Sequence, residues 1–196
     1  MVNSITKEQI AGLPVAKFEG RIVIIQTEAE AQSAIDYLSA FDKVGFDTET
    51  RPTFKKGRSH KIALMQLSTE DTCFLFRLNL IGFPDCLLQF LSNPEIKKIG
   101  LSLKDDFSAI HKRSELEPQG FVELQAFVKQ YEIEDIGLQR VYAIIFGKKI
   151  SKRQRLTNWE TTVLSDAQKM YAALDAWACL KIYNELINRS LKADKD

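Results

Sequence analysis

An α/β domain, a mixed sheet covered by helices, is predicted by three features of this sequence. Short apolar runs come early, helical patterns dominate late, and the two alternate in between. The 196 residues suit one domain with a substantial core, and 45% hydrophobic with 27% charged residues is ordinary for such a domain.

Each element has a local reason. RIVIIQ (21–26) is a short apolar strand. Thr27 and Glu30 form a capping box that opens a helix through AQSAIDYLSAF. KVGFDTE (43–49) is the next strand. KIALMQLST (61–69) and TCFLFRL (72–78), parted by a short polar turn, read as a hairpin. FPDCLLQFLS (83–92) reads as helix, KKIGL (97–101) as strand and LKDDFSAIHKR (103–113) as helix. GFVEL (120–124) is a short strand leading into helices through residue 146. Ser165 with Gln168 caps a long last helix that reaches about residue 190. Residues 1–17 are expected to be a loose leader, 18–191 the folded domain and 192–196 a disordered tail.

Composition excludes several classes. The formal net charge is +1, so attraction to a polyanion must come from local clusters rather than a global field. No apolar run has the length of a membrane span, and the N-terminal segment lacks an apolar signal core, which predicts a cytoplasmic protein without membrane partners. Cys73, Cys86 and Cys179 are far apart and lack CxxC spacing, as expected of reduced thiols. With His60 and His111 alone, a histidine-rich zinc site is excluded.

Carboxylates carry the chemistry. Asp47 and Glu49 stand two apart on a strand, so both side chains share one face while Phe46 and Thr48 take the other. Two such neighbours repel one another unless cations lie between them. Tyr171 and Asp175 stand four apart on the last helix, and Ala178, Cys179 and Ile182 continue their stripe. A carboxylate on that apolar face needs a partner or a metal. Asp106 lies in the first turn of a helix, where it also complements the helix dipole. Asp105 is adjacent, and spacing alone does not choose between them.

Together these segments resemble the DEDD superfamily of 3′–5′ exonucleases. FDTET resembles the first motif, DxE. IGLSLKDDF resembles the second, a glycine followed six residues later by aspartate, which selects Asp106. YAALD resembles the Tyr-x-x-x-Asp motif of the tyrosine subgroup; the histidine subgroup places His where Met170 stands. LTNWE (156–160) and the helix after it are most similar to Werner-syndrome-type exonuclease domains, with RNase D and polymerase I proofreading domains more distant. The resemblance implies a ribonuclease H-like fold, a mixed central sheet flanked by helices.

It also implies roles. Asp47 would bridge two divalent cations, magnesium or manganese, with Glu49 and Asp175 completing one site and Asp106 supporting the second. Tyr171 would orient the attacking water, since a phenol with an ordinary pKa near ~10 is a poor base. Glu123 stands where relatives often carry aspartate, outside the ligand set. Two basic stretches, FKKGRSHK (54–61) and KKISKRQR (148–155), suit backbone contacts to a strand. From them come the candidate contacts Lys55, Lys56, Arg58, Lys152, Arg153 and Arg155. Met65 and Gln66 are candidates by resemblance, and Trp159 as a stacking surface or a packing residue.

The function this implies is metal-dependent hydrolysis of a nucleic acid from a free 3′ end, releasing nucleoside 5′-monophosphates. The Werner-type likeness points to DNA. The alternatives are an RNase D-like trimmer of RNA 3′ ends and a silent nucleic-acid-binding scaffold. A scaffold has no need to keep like charges together on one strand.

Overall fold

Alternating apolar residues pair into one sheet in a computed structural model that describes residues 3–53 and 60–193. Its strands are β1 (Arg21–Ile25), β2 (Lys43–Thr50), β3 (Ile62–Ser68), β4 (Thr72–Phe76), β5 (Lys97–Gly100) and β6 (Phe121–Glu123). They run in the order β1-β4-β3-β2-β5-β6. β2, β3 and β4 are antiparallel neighbours, whereas β1, β5 and β6 join in parallel. The β3–β4 turn is tied locally: the Thr69 hydroxyl donates to Asp71 at 2.9 Å and accepts from the Thr72 amide at 3.1 Å.

Both faces are covered, which is why β3 and β4 are buried throughout. On one face α2 (Glu28–Leu38), α3 (Leu78–Ile81), α4 (Asp85–Ser92) and α5 (Leu103–His111) close a core around Phe46, Met65, Leu67 and Phe76. On the other, α6 (Leu124–Lys129), α7 (Leu138–Phe146) and α8 (Asp166–Ala193) pack on Leu64, Leu75 and Ile99. The expected capping boxes form. Glu30 and Thr27 satisfy one another's amides at 3.0 and 3.2 Å, and so do Gln168 and Ser165. No helix among the described residues is long and apolar enough to cross a membrane.

The ends differ from expectation. Residues 1–17 do not run loose where they are described. Thr6 and Gln9 form a capping box that starts α1 (Lys7–Ala11), and Ile10, Ala16 and Phe18 are buried. Val15 bridges to Lys149, and the Ala16 amide donates to the Lys149 carbonyl at 2.8 Å. Sequence periodicity misses so short a helix, which long-range contacts hold in place. At the other end α8 continues through Ala193, and residues 194–196 lie outside the described residues.

Candidate active site

β2 turns Asp47 and Glu49 toward the face that α8 covers, while Phe46 packs into the opposite core. α8 crosses this strand at Gly45. A Cβ there would overlap the Ala176 carbonyl, so glycine lets helix backbone lie directly on strand backbone. Ala172, Ala173, Ala176 and Ala178 are wholly buried and keep the helix side equally thin. This close approach carries Asp175, the neighbour of Ala176, to the strand carboxylates.

Oxygens of Asp47, Glu49 and Asp175 lie within 4.8 Å of one another. Glu49 is 8% exposed and Asp175 7%, while Asp47 is half-buried. Asp175 Oδ1 has no hydrogen-bond partner among the described residues. Packed together in a dry site, these groups resist ionisation. Burial and then the charges of Asp175 and Asp106 push Glu49 up to about 9, with Arg155 pulling the other way. Asp47 is raised well above the usual carboxylate range, by burial first and then by Glu49, Asp175 and Asp106. Burial pushes Asp175 up to about 7, opposed by the Tyr171 hydroxyl and Lys152.

Tyr171 stands one helical turn before Asp175, 9% exposed, its ring centroid 6.0 Å from that of Trp159. Burial, then Asp175 and Glu49, raises its pKa above the ordinary phenol range, so it stays protonated and donates.

Asp106 reaches the site differently. It is half-buried on α5, outside the group of three, and its Oδ1 accepts from the Thr48 hydroxyl. Burial pushes it up to about 6 against that hydrogen bond. Asp105 is exposed. The start of α5 is fixed by Glu123, whose carboxylate accepts from the amides of Ser102 (3.0 Å), Leu103 (2.8 Å) and Gln125 (3.0 Å). Glu123 therefore caps two helices and aims Asp106, a role the sequence reading overlooks. An acidic residue directly before a helix was the available signal. Thr48, read only as a residue of the other face, is likewise the residue that steadies Asp106.

Segment 148–160 lies beside the carboxylates. Lys152, Arg153 and Arg155 are exposed, and the fields of Lys152 and Arg155 reach Asp175 and Glu49. Gln168 donates to Thr157 Oγ1 at 3.1 Å and to the Asn158 carbonyl at 3.2 Å. Arg77, 1% exposed, donates to the carbonyls of Thr161 and Thr162. Glu160 accepts from Arg51 at 3.2 Å and faces His60 Nδ1 at 3.6 Å.

Three expected nucleic-acid contacts are corrected: Met65, Gln66 and Trp159 are fully buried and offer no surface to a strand in this conformation. Met65 belongs to the core on the far side of the sheet, as alternation along β3 requires if Gln66 shares the carboxylate face. Gln66 stands opposite Asp47 on β3, and neither end of its amide has a partner among the described residues. Trp159 packs with Tyr171. Lys55, Lys56 and Arg58 lie outside the described residues.

An all-oxygen, anionic donor set with an unpartnered buried oxygen fits a hard divalent cation, which would relieve the repulsion that raises these pKa values.

Residues 22–190 match the sequence profile of the 3′-5′ exonuclease family. The mouse bifunctional 3′-5′ exonuclease/ATP-dependent helicase WRN is 33% identical over 186 residues, covering 90% of this chain and 13% of the mouse protein. A 3′-5′ exonuclease of Drosophila melanogaster is 26% identical over 208 residues, covering 93% of this chain and 57% of the fly protein. The chain thus spans only part of each relative. The Aedes aegypti Nibbler EXO domain superposes with a TM-score of 0.78 at 20% identity, covering 87% of this chain and 90% of that one. Escherichia coli RNase D superposes with a TM-score of 0.77 at 22% identity, covering 89% of this chain and 46% of that one. The architecture is ribonuclease H-like. With its profile matched from the first strand to the last helix, the chain belongs to the 3′-5′ exonuclease family.

Proposed function

We propose that this domain hydrolyses phosphodiester bonds from the free 3′ end of a nucleic acid and releases nucleoside 5′-monophosphates, with DNA as the polymer. The observation that carries this reading is the convergence of Asp47, Glu49 and Asp175 within 4.8 Å in a member of this family. These three residues would hold one divalent cation, magnesium or manganese, and Asp106, steadied by Thr48, would support a second. Cations held there would supply neutralisation of charge developing on the phosphate and acidification of water.

The chain's own side chains do the rest. Tyr171, kept protonated beside Asp175, orients a water by hydrogen bonding. Lys152 and Arg155 offset the acidic floor and attract phosphates, with Arg153 beside them. Lys55, Lys56 and Arg58 stand in the proposal as further strand contacts from the basic stretch after β2.

DNA is taken from the sequence likeness to the helicase-linked mouse exonuclease. RNA is the second reading, favoured by the likeness in fold to E. coli RNase D, described as an exoribonuclease, and to Trypanosoma brucei RNase D in complex with RNA U12, at a TM-score of 0.74 and 21% identity. The test is a gel time course on 5′-labelled single-stranded DNA, recessed duplex DNA and single-stranded RNA, with magnesium or manganese, beside Asp47→Asn. A ladder of shortening products that Asp47→Asn does not make is expected, fastest on DNA. Fastest shortening of RNA would turn the reading to the trimmer. Binding without cleavage of any polymer would favour the silent scaffold.

A further inference from the structure

Beyond the carboxylate site, a cleft of about 680 Å³ opens between α1, the start of α7 and the 149–152 segment. Lys7, Arg140, Lys149 and Lys152 line it, with Asp135 as its acidic member. Asp135 is already engaged, accepting from Arg140 at 2.6 Å and from the Ile5 amide at 2.9 Å. Ile136 adds an apolar wall that is 44% exposed. The walls are fixed to one another. The Lys149 amide donates to the Pro14 carbonyl at 2.9 Å, the Glu134 amide to the Asn3 carbonyl at 3.0 Å, and the Gln139 amide side chain to the Ile150 carbonyl at 2.7 Å. Lys149 Nζ also donates to the Ala11 carbonyl.

We infer that this cleft is a second nucleic-acid contact, carrying the phosphate backbone of the strand upstream of the 3′ end. Two observations select that occupant. The cleft gathers cations in a chain whose net charge is only +1, which is the local cluster that a polyanion requires. Lys152 lines the cleft and belongs to segment 148–160, whose Trp159 packs against Tyr171 beside the carboxylates. A strand whose last phosphate lies at the carboxylates would run along segment 148–160 to Lys152, Lys149 and Lys7, with Ile136 as a surface for bases. The N-terminal segment is thus a wall of the substrate platform. The direction of the path rests on the exonuclease reading; the contact itself does not.

The experiment measures affinity for a fluorescent 20-nucleotide single strand across a salt series, in the Asp47→Asn background so that cleavage plays no part. Lys7→Glu and Lys7→Glu/Arg140→Gln are compared with Lys112→Glu, a charge reversal at an exposed lysine outside the cleft. The cleft variants are expected to weaken binding about tenfold at 0.1 M salt and to flatten the log–log salt slope by ~0.7 for each phosphate no longer neutralised. The weakening should shrink as the strand is cut to three nucleotides. Lys7 is exposed, so its variants should fold; matching melting temperatures check this. Variants that bind like Lys112→Glu, a weakening independent of strand length, or no binding by the parent protein would overturn the cleft. The catalytic reading is judged apart, by shortening of 5′-labelled strands with Asp47 intact.

Discussion

The floor of the site and its rim are built on opposite terms. The floor is acidic, buried and carried by backbone that cannot move separately: β2 in mid-sheet and α8 lying on it at Gly45. The rim is basic, exposed and carried by the irregular segment 148–160, held by Gln168 and by Arg51 on Glu160, with Arg77 fixing Thr161 and Thr162 just after it. The floor needs fixed geometry because like charges must be held together against their repulsion. On the proposed function the rim needs reach and charge, which loops provide. Chemistry is expected to fail when the floor is disturbed, and affinity when the rim is.

The largest expected effect is on the floor. Asp175→Asn or Glu49→Gln should reduce cleavage to background while leaving strand affinity in place, read by gel assay and anisotropy. Either change that leaves the cleavage rate near normal would remove that residue from the chemistry. Gly45→Ala should act through geometry alone. The added methyl meets the Ala176 carbonyl, and overpacking of this kind typically costs about 1–3 kcal/mol. Thermal melting and cleavage rate should fall together; an unchanged rate would show that the close crossing of α8 is not what places Asp175.

The pH dependence of stability separates the regions as well. Asp106, Asp175 and Glu49 have folded-state values of about 6, 7 and 9. Unfolded carboxyls ionise near ~4. Between these limits the folded state holds protons that the unfolded chain has released, so metal-free stability should fall as pH rises from about 4 toward 9. Manganese should flatten that slope. Urea midpoints from pH 5 to 9, with EDTA or manganese, check both statements, and a metal-free slope of the opposite sign would refute them.

Smaller effects follow. Tyr171→Phe removes one hydrogen bond of ~1–1.5 kcal/mol, so kcat should fall about tenfold with cation affinity retained. Unchanged kinetics would end its water-orienting role. On the rim, Lys152→Gln or Arg155→Gln should raise KM with a modest change in kcat, and lower the salt slope by ~0.7 each. A change confined to kcat would place that cation on the floor instead.

What is legible in the sequence divides along the same line. The carboxylates sit on a strand and a helix, whose periods of two and 3.6 dictate which side chains share a face. Asp47 with Glu49, and Tyr171 with Asp175, are legible for that reason. Asp106 is less so: its place depends on Thr48 and on Glu123 capping α5 from another strand, contacts that no local pattern encodes. Segment 148–160 has no periodicity, so its charges can be read but not the burial of Trp159, which Tyr171 decides from another element. Adjacent Met65 and Gln66 cannot both face the site, and alternation alone says so. The N-terminal segment looks loose because its anchors, Pro14 and Ala16 on Lys149, are distant in sequence.

The proposed function makes these close-set carboxylates the site of a bound divalent cation. Thermal melting at pH 8, with EDTA and with manganese, for the parent protein and Asp175→Asn, tests this most directly. Manganese should raise the parent's melting temperature strongly. Asp175→Asn, relieved of one repelling charge, should melt higher than the parent in EDTA and respond little to manganese. Equal shifts in both proteins, or a variant that melts lower than the parent in EDTA, would contradict a floor built around a cation.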